Sequence, residues 1–164
     1  MGEYELLKER VYKNKLARKF NTIKVNDEIV LMTEELGELS DALMQNDAEG
    51  IIDALGDITV YCLGLCGMFE WNADEVYQNA QIKQVKNHFY AISSELGKIA
   101  NTYKKSNKQP VWNIDKTHNF KEHIGNLMKY CESAYLILKQ EKSFVQVLEK
   151  IIKNNEVRTH QGKI

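Results

Sequence analysis

Residues 48–70 restrict the fold of this chain more than any other segment. Drawn as a helix, the segment carries apolar side chains around most of its circumference: Ile51, Ile52, Leu55, Ile58, Val60, Leu63, Leu65 and Phe69. A helix that is apolar on nearly every side should be largely buried by other elements. We therefore predict that residues 48–70 form a largely buried helix.

The rest of the chain also predicts helices. Good helix formers dominate, Pro110 is the only proline, and no segment alternates apolar and polar residues as a strand does. The predicted fold class is therefore all-α, a helical bundle. The predicted helices span residues 3–19, 26–45, 48–70, 73–87, 89–105, 118–140 and 142–156.

Composition limits the classes of partner. Hydrophobic residues make up 43% of the 164 residues, enough for a core, and the net charge of −1 predicts neither a nucleic-acid partner nor a membrane surface. We find no apolar run of about 18 residues that would predict a membrane span, and no secretion signal begins the chain. We therefore expect a soluble, cytoplasmic protein.

Several short motifs occur twice, in the same order and with similar spacing. They predict a duplicated helical unit, with residues 1–88 as an acidic, catalytic half and residues 89–164 as a degenerate half that packs on it in one compact domain. The other interpretation is that two amphipathic helix pairs simply resemble each other. Glu35-Leu36-Gly37 recurs as Glu95-Leu96-Gly97. Gly56 followed by Tyr61-Cys62 recurs as Gly125 followed by Tyr130-Cys131. Lys83, Lys86 and Asn87 recur as Lys150, Lys153 and Asn154.

The second copy lacks acids that the first copy carries. It keeps the apolar frame, so it suits a scaffold that supports one active half. Glu34, Glu38 and Asp57 of the first copy align with Ser94, Lys98 and Asn126 of the second.

Carboxylates are concentrated on two consecutive predicted helices. Glu34, Glu35 and Glu38 are close to one another at helical spacing, and Asp53 and Asp57 share one stripe of the apolar helix that follows. An acidic helix face alone is more often solvated than functional. Carboxylates on a buried helix, however, are costly unless a cation pairs with them.

A bound divalent cation is the predicted partner of these acids. No lysine or arginine occurs in residues 25–82, so the sequence offers no cation nearby. A set of oxygen ligands without His or Cys favours Mg²⁺ or Mn²⁺. Magnesium held by protein carboxylates usually takes substrate phosphates as further ligands, so a phosphate ester or anhydride is the expected substrate.

These residues resemble the MazG-like all-α nucleoside-triphosphate (NTP) pyrophosphatases, a superfamily that includes dimeric dUTPases and phosphoribosyl-ATP pyrophosphatase. The hallmark of this superfamily is Glu-Glu-x-x-Glu on one helix and Glu-x-x-Asp on the next. The first element is complete here, as Glu34-Glu35-Leu36-Gly37-Glu38. In the second element Asp57 matches and Ala54 replaces the glutamate, so the resemblance leaves Asp53 as a substitute from the adjacent position.

Three further segments extend the resemblance. Residues 14–22 are similar to the basic-Phe-Asn-Thr segment that precedes the acidic helix in some members. Tyr61 matches an aromatic residue that lines the nucleotide pocket in relatives. Lys86-Asn87, and Lys153-Asn154 followed by Arg158, are similar to the phosphate-binding Lys-Asn…Arg segment of the family.

The resemblance implies an Mg²⁺-dependent enzyme, with Mn²⁺ as an alternative ion. Such an enzyme cleaves (d)NTP to (d)NMP and pyrophosphate, as in house-cleaning or nucleotide-pool control, and it is expected to form a homodimer. The resemblance implies that the metal ligands are Glu35, Glu38, Asp57 and Asp53, and that Glu34 positions or deprotonates water. It implies that the phosphate-binding cations are Lys83, Lys86, Lys153 and Arg158. The implied base-binding residues are Phe20, Asn21 and Tyr61.

Two other functions fit parts of the same sequence. Ala54 and the degenerate second half also suit a non-catalytic bundle that binds a nucleotide or a protein partner. A carboxylate-bridged metal protein with redox chemistry is the third reading. The missing Glu-x-x-His pair argues against that reading.

Overall fold

The computed structural model describes residues 1–106 and 114–158, apart from the side chains of residues 114–118. Within these residues the chain forms seven helices and no strand, so the predicted all-α bundle is confirmed. The helices are α1 (Glu3–Ala17), α2 (Val25–Met44), α3 (Ala48–Met68), α4 (Ala73–Asn79), α5 (His88–Ser106), α6 (Ile114–Ile137) and α7 (Phe144–Val157).

Helix α3 lies at the centre of the bundle and is largely buried, and its apolar circumference predicts this burial. It begins after Asp47, whose side chain accepts the N–H of Gly50, and α1, α2, α6 and α7 pack around it. By length and composition α3 could also cross a membrane, but 67% of its most apolar window is buried inside the protein. Its apolar residues therefore form the core of the bundle.

Helix α4 is shorter than the sequence pattern predicts. It ends at Asn79, whereas the pattern predicts helix to residue 87. Side chains of α6 hold the backbone that follows: the Asn126 amide oxygen accepts the N–H of Gln81 (3.2 Å), and the Tyr130 hydroxyl accepts the N–H of Lys83 (3.2 Å). These tertiary hydrogen bonds replace the helical ones, so propensity alone could not locate the end of α4.

The helices pack in a pattern that is repeated between the two halves of the chain. Helices α2 and α3 pack as one pair and α5 and α6 as another, with α2 against α5 and α3 against α6. Helix α7 packs on α3, and in the same way α4 packs on α6. Two copies of one unit would give this arrangement, and the internal duplication stays a prediction.

Glycines allow the close approach of α7 to α3 and of α4 to α6. A Cβ atom on Gly56 would lie 2.2 Å from Ile151 Cδ1. A Cβ atom on Gly125 would lie 2.3 Å from the carbonyl oxygen of Val76. Because the second clash is with backbone, a side chain there cannot be accommodated by a change of rotamer.

We predict that Gly125→Ala destabilises the protein by ~1–3 kcal/mol, because the methyl group would force α4 away from α6. Gly97→Ala is the matched control. Gly97 is also helical, but a Cβ atom there meets nothing within 4 Å. The control should gain up to about 1 kcal/mol from helix propensity. Urea unfolding of both variants tests this, and equal free energies of unfolding would contradict the packing argument.

Candidate active site

A cavity of about 150 Å³ lies between α1, α2, α3 and α7 and contains two of the predicted acids. Glu35 of α2 and Asp57 of α3 both line it, so the two acidic segments meet at this point. The remaining wall is partly apolar, from Val11, Phe20, Val60 and Ile152, and partly polar, from Asn14, Lys15, Tyr61, Asn155 and Arg158. The cavity therefore combines acids, cations, amides and aromatic surface in one place.

Glu35 is the most perturbed carboxyl group of the cavity. Its Oε2 atom is buried and has no hydrogen-bond partner in the described residues. Burial, followed by the charges of Asp57 and Glu38 and a hydrogen bond with Glu38, raises the pKa of Glu35 to about 8. These surroundings therefore favour the protonated form of Glu35, and a bound cation would favour the charged form.

Asp57 and Tyr61 lie in the same electrostatic environment. Burial, with the charges of Asp53 and Glu38, raises the pKa of Asp57 to about 6, although Arg158 acts in the opposite direction. Burial and the neighbouring carboxylates, Glu35 first among them, raise the pKa of Tyr61 well above its ordinary value. Negative charge in this cavity is thus incompletely balanced by the protein's own cations.

The acidic residues present suit a hard divalent cation. They offer only oxygen ligands, and one buried oxygen, on Glu35, has no partner in the described part of the chain. In that same part, no three His, Cys, Asp or Glu side chains lie close enough together to form a ready metal cluster. The like charges of Glu35, Glu38 and Asp57 raise the pKa values of Glu35 and Asp57, and a cation bound among these acids would offset that repulsion.

The other predicted acids lie around the cavity rather than in its wall. Glu34 and Glu38 are exposed on α2, and the carboxyl group of Glu38 hydrogen-bonds that of Glu35. Asp53 is exposed in a separate cleft between α3, α7 and the loop that joins α6 to α7, and its charge reaches Asp57. Ala54 is 2% exposed within the core.

Of the four predicted phosphate-binding cations, Arg158 alone lines the cavity. Lys153 is exposed on α7 outside the cavity wall. Lys83 is exposed beside α6, and Lys86 lines a groove between α2, α5 and α6. The motif at residues 83–87 is displaced because α4 ends early and the chain then turns along α6.

The predicted base-binding residues also take different positions. Phe20 and Tyr61 line the cavity. The side chain of Asn21 closes the turn before α2: its oxygen accepts the N–H groups of Ile23 (3.2 Å) and Lys24 (2.8 Å), and its amide donates to the Lys24 carbonyl (2.6 Å). The hydrogen-bonding groups of Asn21 are thus occupied by the backbone.

Three polar residues of the cavity were not among the predicted site residues. Asn14, Lys15 and Asn155 all line the cavity. Lys15 falls four residues after Val11 on the buried stripe of α1, and a lysine on such a stripe is a signal that the sequence did contain. Asn155 lies in the last turn of α7, three residues before Arg158, which directly follows the helix.

Hydrogen bonds from α1 hold the end of α7 beside the cavity. Arg10 Nη2 donates to Glu156 Oε1 (2.6 Å), and Arg18 Nη2 donates to the backbone carbonyl of Glu156 (2.8 Å). Arg158 follows two residues later. The cations of the cavity, Lys15 and Arg158, therefore come from both ends of the chain and lie outside residues 25–82, which contain no lysine or arginine.

The comparisons with known proteins agree with this geometry. Residues 5–84, about half of the chain, match the family model of phosphoribosyl-ATP pyrophosphohydrolase. No curated protein and no solved structure matches the chain. The match includes both acidic helices and most of the cavity wall. Residues 5–84 are therefore similar to the phosphoribosyl-ATP pyrophosphohydrolases, which belong to the MazG-like all-α NTP pyrophosphatase superfamily.

Proposed function

We propose that the protein is an Mg²⁺-dependent nucleoside-triphosphate pyrophosphohydrolase that cleaves (d)NTP to (d)NMP and pyrophosphate. The family match supports a pyrophosphohydrolase that acts on a nucleotide. One observation supports the more specific proposal that the enzyme uses Mg²⁺ and a nucleoside triphosphate. Glu35 lines the same cavity as Asp57 and Arg158, and its buried Oε2 atom has no hydrogen-bond partner among the residues that the structure describes. The cavity therefore offers ligands for a cation and for a phosphate.

Glu35, Glu38 and Asp57 are the proposed ligands of the metal ion. A divalent cation held there supplies charge stabilisation to the phosphates and orients the attacking water. Asp53, one turn before Asp57, is the weakest candidate because it lines a different cleft. Its charge raises the pKa of Asp57, which makes Asp57 depend more strongly on a neutralising cation.

The substrate would lie with its phosphates near Arg158 and its base near Phe20 and Tyr61. Arginine can bind two phosphate oxygens at once, and aromatic side chains offer a flat apolar surface to a base. Glu34 is exposed next to Glu35 on α2 and stays the proposed residue that deprotonates water. In the proposed reaction the water oxygen bonds to the α-phosphorus. The bond between the α-phosphorus and the α–β bridging oxygen breaks, and pyrophosphate leaves with that oxygen.

A homodimer in the cytoplasm is the proposed state of the protein. Exposed apolar side chains support an interface at the groove between α2, α5 and α6, where Met44, Tyr90 and Ile137 are 72%, 70% and 59% exposed. Light scattering that gives the mass of two chains would support the dimer. The mass of one chain would contradict it.

A non-catalytic bundle is the second candidate function, because Ala54 occupies the position of a motif carboxylate and is buried in the core. This candidate predicts nucleotide binding without release of pyrophosphate. An assay of pyrophosphate release distinguishes the two functions.

Incubation with each dNTP and NTP and Mg²⁺ should release pyrophosphate. We expect Glu35→Gln and Asp57→Asn to lower kcat/KM by roughly 100-fold or more, since loss of even an outer-shell partner of a metal costs about 10- to 100-fold. Asp41→Asn, at an exposed acid on α2 outside the cavity, is the matched control and should keep full activity. Full activity in Glu38→Ala and Asp57→Asn would contradict the proposed site. No release with any nucleotide at high protein concentration would contradict the reaction.

The stability of the metal-free protein should fall as pH rises from about 5 to 8. The pKa of Glu35 is raised from 4.5 to about 8, so the folded state binds this proton more tightly than the unfolded state. The stabilisation is present below the unfolded pKa and is lost as pH approaches the folded one. Asp57 adds to the same trend up to about pH 6.

Thermal melts in EDTA at several pH values measure this dependence. Glu35→Gln should reduce the fall in melting temperature, and Mg²⁺ at pH 8 should raise the melting temperature of the wild type more than that of the variant. Asp41→Asn should behave like the wild type. Identical pH profiles for the wild type and Glu35→Gln would contradict the assignment of the proton to Glu35.

A further inference from the structure

A lysine–glutamate ion pair is buried beside the candidate active site. Lys15 of α1 is 6% exposed and lines the cavity, and its ammonium group pairs with Glu28 of α2, which is fully buried and lies behind it. Removing two charges from water is expensive, and apolar residues often serve the stability of a fold equally well. The pair therefore calls for an explanation beyond packing.

The hydrogen-bonding capacity of this pair is only partly used. A lysine ammonium has three donors, and Glu28 is the only partner that Lys15 has in the described part of the chain. The Oε2 atom of Glu28 is also buried there without a hydrogen-bond partner. Lys15 thus has donors that a ligand in the cavity can use.

Helix α3 leaves room for the lysine stem. A Cβ atom on Gly64 would lie 3.1 Å from Lys15 Cε and 3.9 Å from a Glu28 carboxylate oxygen. Glycine inside a helix costs about 1 kcal/mol relative to alanine, so this gap has a cost in α3. The position of the ammonium group is consequently defined by α1, α2 and α3 together.

The charges of the cavity match a phosphate that carries a metal ion. Glu35 on α2 and Asp57 on α3 can attract a cation into the cavity. Lys15 on α1 and Arg158 at the end of α7 present positive charge to the same cavity. An uncharged ligand would interact strongly with neither the acids nor the cations, and the cations would repel a free metal ion. A phosphate group with a bound divalent cation can interact with the acids through the metal ion and with the cations through its oxygens.

We propose that Lys15 binds a phosphate oxygen of the substrate and that Glu28 positions its ammonium group for this contact. The proposal rests on the proposed function, and it adds a phosphate-binding residue from α1 that is neither part of the acidic motifs nor part of the Lys-Asn…Arg segments. Lys15 touches the substrate, and Glu28 is a positioning residue.

A second lysine of α1 provides a matched control. Lys8 also pairs with a glutamate, Glu5, at 2.5 Å, and it donates a further hydrogen bond to the Trp71 carbonyl at 3.1 Å. Lys8 does not line the cavity. If buried lysine pairs of α1 serve only to hold the helices together, replacing Lys8 and replacing Lys15 should have similar effects.

The test measures binding of the α,β-imido analogue of each dNTP and NTP with Mg²⁺ by calorimetry, because these analogues keep three phosphates but lack the α–β oxygen bridge. The variants are compared on the analogue that binds the wild type most tightly. Lys15→Met should weaken binding by about 10- to 100-fold, which is the range for a lost hydrogen bond from a charged group. Lys8→Met should change binding less than about twofold. In the hydrolysis assay, Lys15→Met should raise KM, whereas Lys8→Met should not.

The double variant Lys15→Met/Glu28→Met separates binding from folding. Replacement of both charges by apolar side chains should keep the melting temperature at or above that of the wild type. Binding of the analogue should still be weakened as in Lys15→Met. A double variant that folds and binds like the wild type would overturn the proposal.

The outcomes also distinguish this proposal from the proposed function. If the wild type hydrolyses nucleotides and Lys15→Met binds the analogue normally, the proposed reaction is supported and the proposed role of Lys15 is wrong. If no nucleotide is hydrolysed but Lys15→Met weakens binding of the analogue, the proposed reaction is wrong and the phosphate-binding role of Lys15 is supported. Absence of both hydrolysis and binding in the wild type would overturn both.

Discussion

The structure depends on the enclosure of α3. This helix is apolar around most of its circumference, so four helices have to pack against it before its surface is removed from water. Gly56 lets α7 approach closely, and Gly64 leaves space for a side chain of α1. Asp57, on the same helix, then lies where these neighbours converge. The packing that buries α3 therefore also assembles the cavity of the candidate site.

Electrostatics explains why this cavity has the character of a binding site. Glu35 and Asp57 are held in surroundings that favour their protonated forms, while Lys15 and Arg158 line the same cavity. The cations do not fully offset this effect, because the pKa of Asp57 stays raised although Arg158 lowers it. The acids and the cations line one cavity, so a ligand bound there can interact with both. A metal ion bound to phosphate has the charge distribution that completes this arrangement.

Sequence patterns predicted much of the fold and part of the site. Helix periodicity indicated all seven helices, and the hallmark motif led to Glu35 and Asp57, because residues on adjacent helices of a pair meet at short range. Periodicity placed the end of α4 incorrectly, since hydrogen bonds from α6 determine it. Lys83 and Lys86 were grouped with Arg158 by motif similarity, yet they lie outside the cavity wall because the chain follows α6 after Asn79.

The sequence by itself determined the fold class, the burial of α3 and the pair of acidic segments, because these follow from local periodicity and the spacing of side chains on a helix. The tertiary structure alone decided which charges meet. Lys15 and Arg158 are 143 positions apart in the chain, and they line one cavity only because α1 and α7 both pack on α3. Burial and proximity set the pKa of Glu35 and the pairing of Lys15 with Glu28, and neither can be read from neighbours in sequence.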